Sequence, residues 1–146
     1  MRLGIFVEQR IVSMEDDRIW ILLARRVLGE ITAKMEQALR EDGTILAAAY
    51  FCMHRADEGC LCRKPKPELL RRAANDFNID LSRSVFIGDS ETDVRAARAA
   101  GCAPILFGAG LRNHSESGEW MTDLPVAPLP KDLFNVVERR LYSLKP

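Results

Sequence analysis

The chain lacks a long apolar run. The stretch Ile45-Leu-Ala-Ala-Ala-Tyr-Phe-Cys-Met53 is nine residues, whereas a bilayer-crossing helix needs about 20. It also lacks net charge, with 21 Lys and Arg against 21 Asp and Glu. That balance gives neither the basic footprint of a nucleic-acid binder nor an electrostatic membrane anchor. No internal repeat and no low-complexity tract is present. Met1-Arg-Leu-Gly-Ile-Phe-Val opens like a secretory leader, but Glu8 and Arg10 interrupt its apolar stretch, so the expected compartment is the cytoplasm. Cysteine is scarce, at four residues, and clustered rather than spaced as a disulfide framework, although two disulfides are the formal alternative. What remains is 146 residues, 47% hydrophobic and 29% charged, the composition of one soluble domain over 1–146 with a real core.

Periodicity orders that domain as alternating strands and helices. Ile5, Phe6, Val7, Ile11 and Val12 carry strand character near the start. Trp20, Leu23, Val27, Ile31, Met35 and Leu39 recur at three or four residues and predict a helix that Asp42-Gly43 ends. Ile45 to Phe51 reads as a strand covered on both faces. Pro65 and Pro67 open a helix with Leu69, Leu70, Ala73, Ala74 and Phe77 on one face. Ser84 to Gly88 is a short strand, Glu91 to Ala100 a helix stopped by Gly101, and Pro104 to Phe107 another strand. Residues 112–130 are polar and Pro-rich, as in a surface loop, and Lys131 to Leu144 is an amphipathic helix. This alternation predicts an α/β fold with a parallel sheet.

The densest chemistry lies in Cys52-Met-His54-Arg-Ala-Asp-Glu-Gly-Cys60-Leu-Cys62-Arg63-Lys64-Pro65. Three cysteines and one histidine fall within eleven residues. Thiolate and neutral imidazole are the ligands of tetrahedral zinc, and a closed Cys3His set makes a structural site without an open position. Cys102 stands apart in Ala99-Ala-Gly-Cys-Ala and reads as a small core residue. Lys64 can neutralise a phosphoryl group and Arg63 can grip one bidentately, while Lys66 and His114 read as solvated.

Ligands of open parallel sheets bind outside the carboxyl ends of the strands. The metal loop, Asp89 and the Gly108-Ala-Gly110 turn all follow such ends. Asp89 comes directly after Gly88, whose missing side chain leaves room for an ion, and a carboxylate there suits Mg2+. Asp93, one helical turn on, can support the same ion. Ser90-x-x-Asp93 equally fits a capping box, so Asp93 has a purely structural alternative.

Tyr50-Phe-Cys-Met-His54, Cys60-Leu-Cys-Arg-Lys-Pro-Lys-Pro67 and Phe86-Ile-Gly-Asp-Ser-x-x-Asp93 together resemble the haloacid-dehalogenase (HAD) superfamily. The similar branch is the zinc-loop one, subfamily IIIA, which contains phosphatases of heptose bisphosphate and of histidinol phosphate. The resemblance implies a Rossmann-like three-layer α/β sandwich with a parallel sheet, here N-terminally shortened and with residues 1–17 divergent. It makes Cys52, His54, Cys60 and Cys62 zinc ligands around a loop over 52–62. Lys64 becomes the lysine that stabilises the phosphoryl group, Arg63 a substrate contact, and Asp89 with Asp93 the magnesium site. Spacing back from the first helix, Ser13 would be the phosphate-binding hydroxyl.

Family chemistry is attack of an aspartate on phosphorus, then hydrolysis of the aspartyl phosphate. The Asp-x-Asp-Gly that carries it is missing. Glu41-Asp42-Gly43-Thr44 imitates its tail, with Arg40 where the nucleophile belongs. The implied protein is a Zn2+- and Mg2+-dependent phosphatase, a monomer acting on a small phosphorylated sugar such as heptose bisphosphate. Histidinol phosphate is the alternative substrate, and an inactive, zinc-stabilised phosphate-binding module or a truncated remnant the alternative function.

Overall fold

The computed structural model describes residues 3–6, 17–108 and 123–144. The order is β1 (Leu3–Phe6), α1 (Asp17–Glu41), β2 (Leu46–Tyr50), α2 (Glu68–Phe77), β3 (Val85–Gly88), α3 (Glu91–Ala100), β4 (Ala103–Phe107), β5 (Val126–Ala127) and α4 (Pro130–Ser143). The chain divides into two compact units, Met1–Cys60 and Leu61–Pro146. Among the described residues, no helix is long and apolar enough to cross a membrane.

In the first unit β1 runs parallel to β2, pairing Leu3 with Leu46 and Phe6 with Tyr50. The strand expected near the start therefore exists over Leu3–Phe6, while Val7, Ile11 and Val12 lie outside the described residues. The helix α1 ends as its sequence requires. Gly43 takes a left-handed φ of 74°, and the Thr44 N–H turns back to the Leu39 carbonyl at 2.7 Å.

Two expectations need correction here. The buried row of α1 is Leu28, with Thr32, Met35, Glu36 and Leu39 half-buried behind it, whereas Val27 and Ile31 are 40% and 38% exposed. Met35 and Leu39 lie on the inner side as expected, and Trp20 and Leu23 lie outside the residues whose side chains are described. Leu28 and Thr32 take the places expected of Val27 and Ile31, one residue away; Thr32 can do so because its hydroxyl donates to the Leu28 carbonyl at 2.7 Å. Nor is β2 covered on both faces among the described residues. Leu46 is buried, but Ala47 is exposed and Ile45, just ahead of the strand, is 73% exposed.

The second unit holds the three-stranded parallel sheet in the order β3-β4-β5. β3, α3 and β4 form a βαβ unit, with Val85 opposite Ala103 and Gly88 opposite Leu106. Ser90 caps α3 at its start, and Gly101 ends it at φ 85° with its N–H on Ala97 O. Ala96 and Ala97 keep that helix close to the strands, and with Val94, Ile105 and Leu106 they are almost wholly buried. α2 packs on α3 through its inner Leu70 and Ala73, and α4 covers β4 and β5.

Residues 109–122, with His114 and Gly110, lie outside the described part. The surface-loop expectation for 112–130 fails at its end, where Val126–Ala127 is a strand and Ala127 is fully buried. Two residues suffice because β4 offers an edge, to which the Leu106 N–H and the Pro125 carbonyl contribute a 3.0 Å bond. Pro125 and Pro128 then bound the strand.

Cys102 is 7% exposed, as expected of a core residue, and burial pushes its thiol up from 9.0 to about 11. An unfolded thiol ionises first, so above pH 9 the unfolded state holds fewer protons and stability falls as pH rises from 9 toward 11. The expected loss is about 2–3 kcal/mol across that window, and Cys102→Ala should remove it from the pH–stability profile. A variant that keeps the same alkaline slope would refute the assignment.

Candidate active site and metal loop

The loop after β2 folds back on itself over a short 3-10 turn, Ala56–Glu58. The Glu58 carboxylate takes the Arg55 N–H at 2.5 Å, and the Arg55 guanidinium grips Asp57 through two bonds of 3.2 and 3.1 Å. Gly59 then turns the chain with a left-handed φ of 63°, where a side chain would be strained. These local devices return Cys60 and Cys62 toward Cys52 and His54.

The four ligand atoms of Cys52, His54, Cys60 and Cys62 all lie within 4.8 Å of one another. Cys52 Sγ is 3.6 Å from Cys60 Sγ and 3.9 Å from His54 Nδ1. A tetrahedron with zinc–sulfur bonds of about 2.3 Å has edges of about 3.8 Å between sulfurs, and the Cys52–Cys60 sulfur distance of 3.6 Å is close to that edge. None of the four cysteines is in a disulfide. The group can hold a metal ion, and its three sulfurs and one nitrogen are a soft donor set.

In the second unit, Lys64 reaches Asp93 across 29 positions of sequence. Its Nζ donates to Asp93 Oδ1 at 2.5 Å. Asp93 is 3% exposed, and its other oxygen accepts from the Ser90 hydroxyl at 2.7 Å and the Asp89 N–H at 3.1 Å. Burial pushes the Asp93 carboxyl up, but the hydrogen bonds from Lys64 and Ser90, together with the Lys64 charge, outweigh it. The carboxyl is held below the ordinary carboxylate range.

Gly88 has a different use from the one its position suggested. A Cβ there would collide with Asp93 Cβ, Cγ and Oδ2, so the room Gly88 leaves is filled by the Asp93 side chain rather than kept for a ligand.

Asp89 is exposed just past the end of β3, and Arg63 is half-buried with its Nε out of solvent. Lys66 is exposed, and its backbone N–H donates to the Arg63 carbonyl at 3.0 Å. Ser13 lies outside the described residues. Lys64 meets Asp93 through its ammonium and Asp89 meets Asp93 through its backbone N–H, so Asp93 spends both oxygens on Lys64, Ser90 and the Asp89 backbone. Sequence reasoning missed the second role of Ser90. The Ser90-x-x-Asp93 pattern pointed to a helix cap, whereas the shorter bond is the one between the two side chains.

The HAD-hydrolase-like family model matches residues 61–132. Among curated proteins, the D-glycero-beta-D-manno-heptose-1,7-bisphosphate 7-phosphatase of Pseudomonas aeruginosa is 40% identical over 84 residues, 58% of this chain and 47% of that protein. Its namesake from Bordetella bronchiseptica is 42% identical over 83 residues, 57% of this chain and 46% of that protein. The chain spans about half the length of the curated relatives it matches. The crystal structure of D,D-heptose 1.7-bisphosphate phosphatase from B. bronchiseptica, complexed with magnesium and phosphate, superposes with a TM-score of 0.72 at 32% identity. That similarity covers 97% of this chain and 75% of the other. A family match over the site-bearing unit and a likeness that takes in nearly the whole chain lead to one conclusion: the protein belongs to the HAD-like hydrolases.

Proposed function

We propose that this chain is a phosphatase of the zinc-loop branch, acting on D-glycero-D-manno-heptose 1,7-bisphosphate at the 7-phosphate. The observation that carries the reading is the Lys64 ammonium, fixed by a buried carboxylate beside the exposed Asp89 at a strand's carboxyl end. Lys64 would neutralise a phosphoryl oxygen, and Arg63 would hold the substrate. Asp89, the outward-facing carboxylate, would bind magnesium, with Asp93 supporting from behind. A magnesium ion, when bound there, would offset the charge that develops on the phosphoryl oxygens. Cys52, His54, Cys60 and Cys62 would hold a zinc ion that stiffens the loop ahead of Lys64. On this reading the protein works as a cytoplasmic monomer on a small phosphorylated sugar, and neither nucleic acid nor membrane is involved.

The second reading is a zinc-stabilised module that binds phosphate without cleaving it. Its support is the sequence, which holds no Asp-x-Asp-Gly to supply the attacking carboxylate. One experiment separates the two: phosphate release from the heptose bisphosphate with Mg2+, with histidinol phosphate in parallel and Asp89→Asn as control. Hydrolysis predicts release at least about 100-fold above the Asp89→Asn rate. Magnesium-dependent phosphate binding with no release supports the module, and neither binding nor release refutes both readings.

A further inference from the structure

We infer that Ser90 is a positioning residue for Lys64, acting through the carboxylate of Asp93. The inference rests on the phosphoryl-binding reading of the site. Lys64 carries its charge at the end of a flexible four-carbon stem, so the orientation of the Asp93 carboxylate it donates to helps to set where its ammonium lies. A carboxylate turns about its last torsion unless both oxygens are held. Asp93 Oδ1 takes Lys64, so what holds Oδ2 decides where Oδ1 points.

Two donors hold Oδ2, the Asp89 backbone N–H and the Ser90 hydroxyl. Ser90 is therefore the side chain that aims the carboxylate. Its one proton goes to Asp93, which leaves Thr92 as the donor in the 3.0 Å contact between the two hydroxyls.

Helix capping alone explains less. As a cap, Ser90 Oγ accepts the Asp93 N–H at 3.4 Å, beyond the usual range, while its donation to the Asp93 carboxylate is 2.7 Å, the length of a strong charge-assisted bond. Gly88 completes the arrangement by leaving the space in which Asp93 lies against the strand end. A hydroxyl at position 90 thus transmits to Lys64 without touching it.

The test compares Ser90→Gly and Ser90→Thr in the full chain. Glycine is tolerated at a helix N-cap at a cost of a few tenths of a kcal/mol, so Ser90→Gly removes the donor and largely spares the cap. Threonine keeps both. The first readout needs no ligand: the Lys64 side-chain ammonium signal in nitrogen-correlated NMR, visible when its protons are held from exchange. It should be present in the parent chain and Ser90→Thr, and lost in Ser90→Gly.

The second is magnesium-dependent binding of inorganic phosphate by calorimetry. Ser90→Gly should weaken it about tenfold and Ser90→Thr by less than about twofold. A folded Ser90→Gly that keeps the Lys64 signal and the phosphate affinity, whatever its melting temperature, overturns the inference and leaves Ser90 a cap. Failure of the parent chain to bind phosphate would instead strike the phosphoryl-binding reading. The Lys64 signal would still decide whether Ser90 positions Lys64.

Discussion

Gly88→Ala is expected to cost about 3–5 kcal/mol of stability and to abolish magnesium-dependent phosphate binding. The added Cβ would fall on the Cβ, Cγ and Oδ2 of Asp93, atoms close to the backbone of α3 that cannot move aside as a long flexible chain would. Asp93 is 3% exposed and bound to Lys64, Ser90 and the Asp89 N–H, so any displacement breaks several charge-assisted bonds at once. Breaking a buried ion pair from one side leaves an uncompensated charge, and that penalty exceeds ordinary overpacking. Gly29 provides the control. It lies within α1 with nothing inside 4 Å of its Cβ position, so Gly29→Ala should stabilise by about 0.5–1 kcal/mol. Urea midpoints with unchanged slopes would show the opposite signs. A Gly88→Ala chain within 1 kcal/mol of the parent would mean that Asp93 does not lie against the strand end.

The same residues show what the sequence could and could not reveal. Signals that act within a few positions were readable: the Ser90 cap and Gly101 stop around α3, the Asp42-Gly43 turn after α1, and the ligand spacing of the cysteine loop. Each depends on local chemistry that no distant partner has to supply.

Other features depend on such partners. Lys64 and Asp93 are 29 residues apart, and only the packing of the second unit joins them, so the buried pair had no local mark. The exposure of Val27 and Ile31, one row away from Leu28, follows from which elements exist to cover α1, and periodicity alone ranks adjacent rows nearly equally. β5 escaped because two residues between prolines become a strand only where β4 offers an edge. Gly88 was rightly singled out, but its neighbour in space rather than a ligand explains it.

Cys60→Ser should reduce bound zinc from about one ion per purified chain to a small fraction and destabilise the protein by at least about 3 kcal/mol. Structural zinc is worth about 10–16 kcal/mol in isolated finger peptides because ordering the ligands and folding the chain are one event there. Here the loop is one part of a larger chain. Arg55, Asp57, Glu58 and Gly59 already bend it, so part of that ordering is independent of the metal and the expected loss is smaller. Cys60 is the informative position because its sulfur lies 3.6 Å from that of Cys52, closing the group across the bend. Serine offers a hard, protonated oxygen in place of a thiolate, so its size is tolerated while its affinity for the metal is not. Cys102→Ala, outside the group and buried just ahead of β4, should keep its zinc and lose stability only through packing at neutral pH. Elemental analysis and denaturant titration of the two variants side by side make the comparison. A Cys60→Ser chain of full stability, from a parent that never contained zinc, would leave the four residues as a loop without a metal.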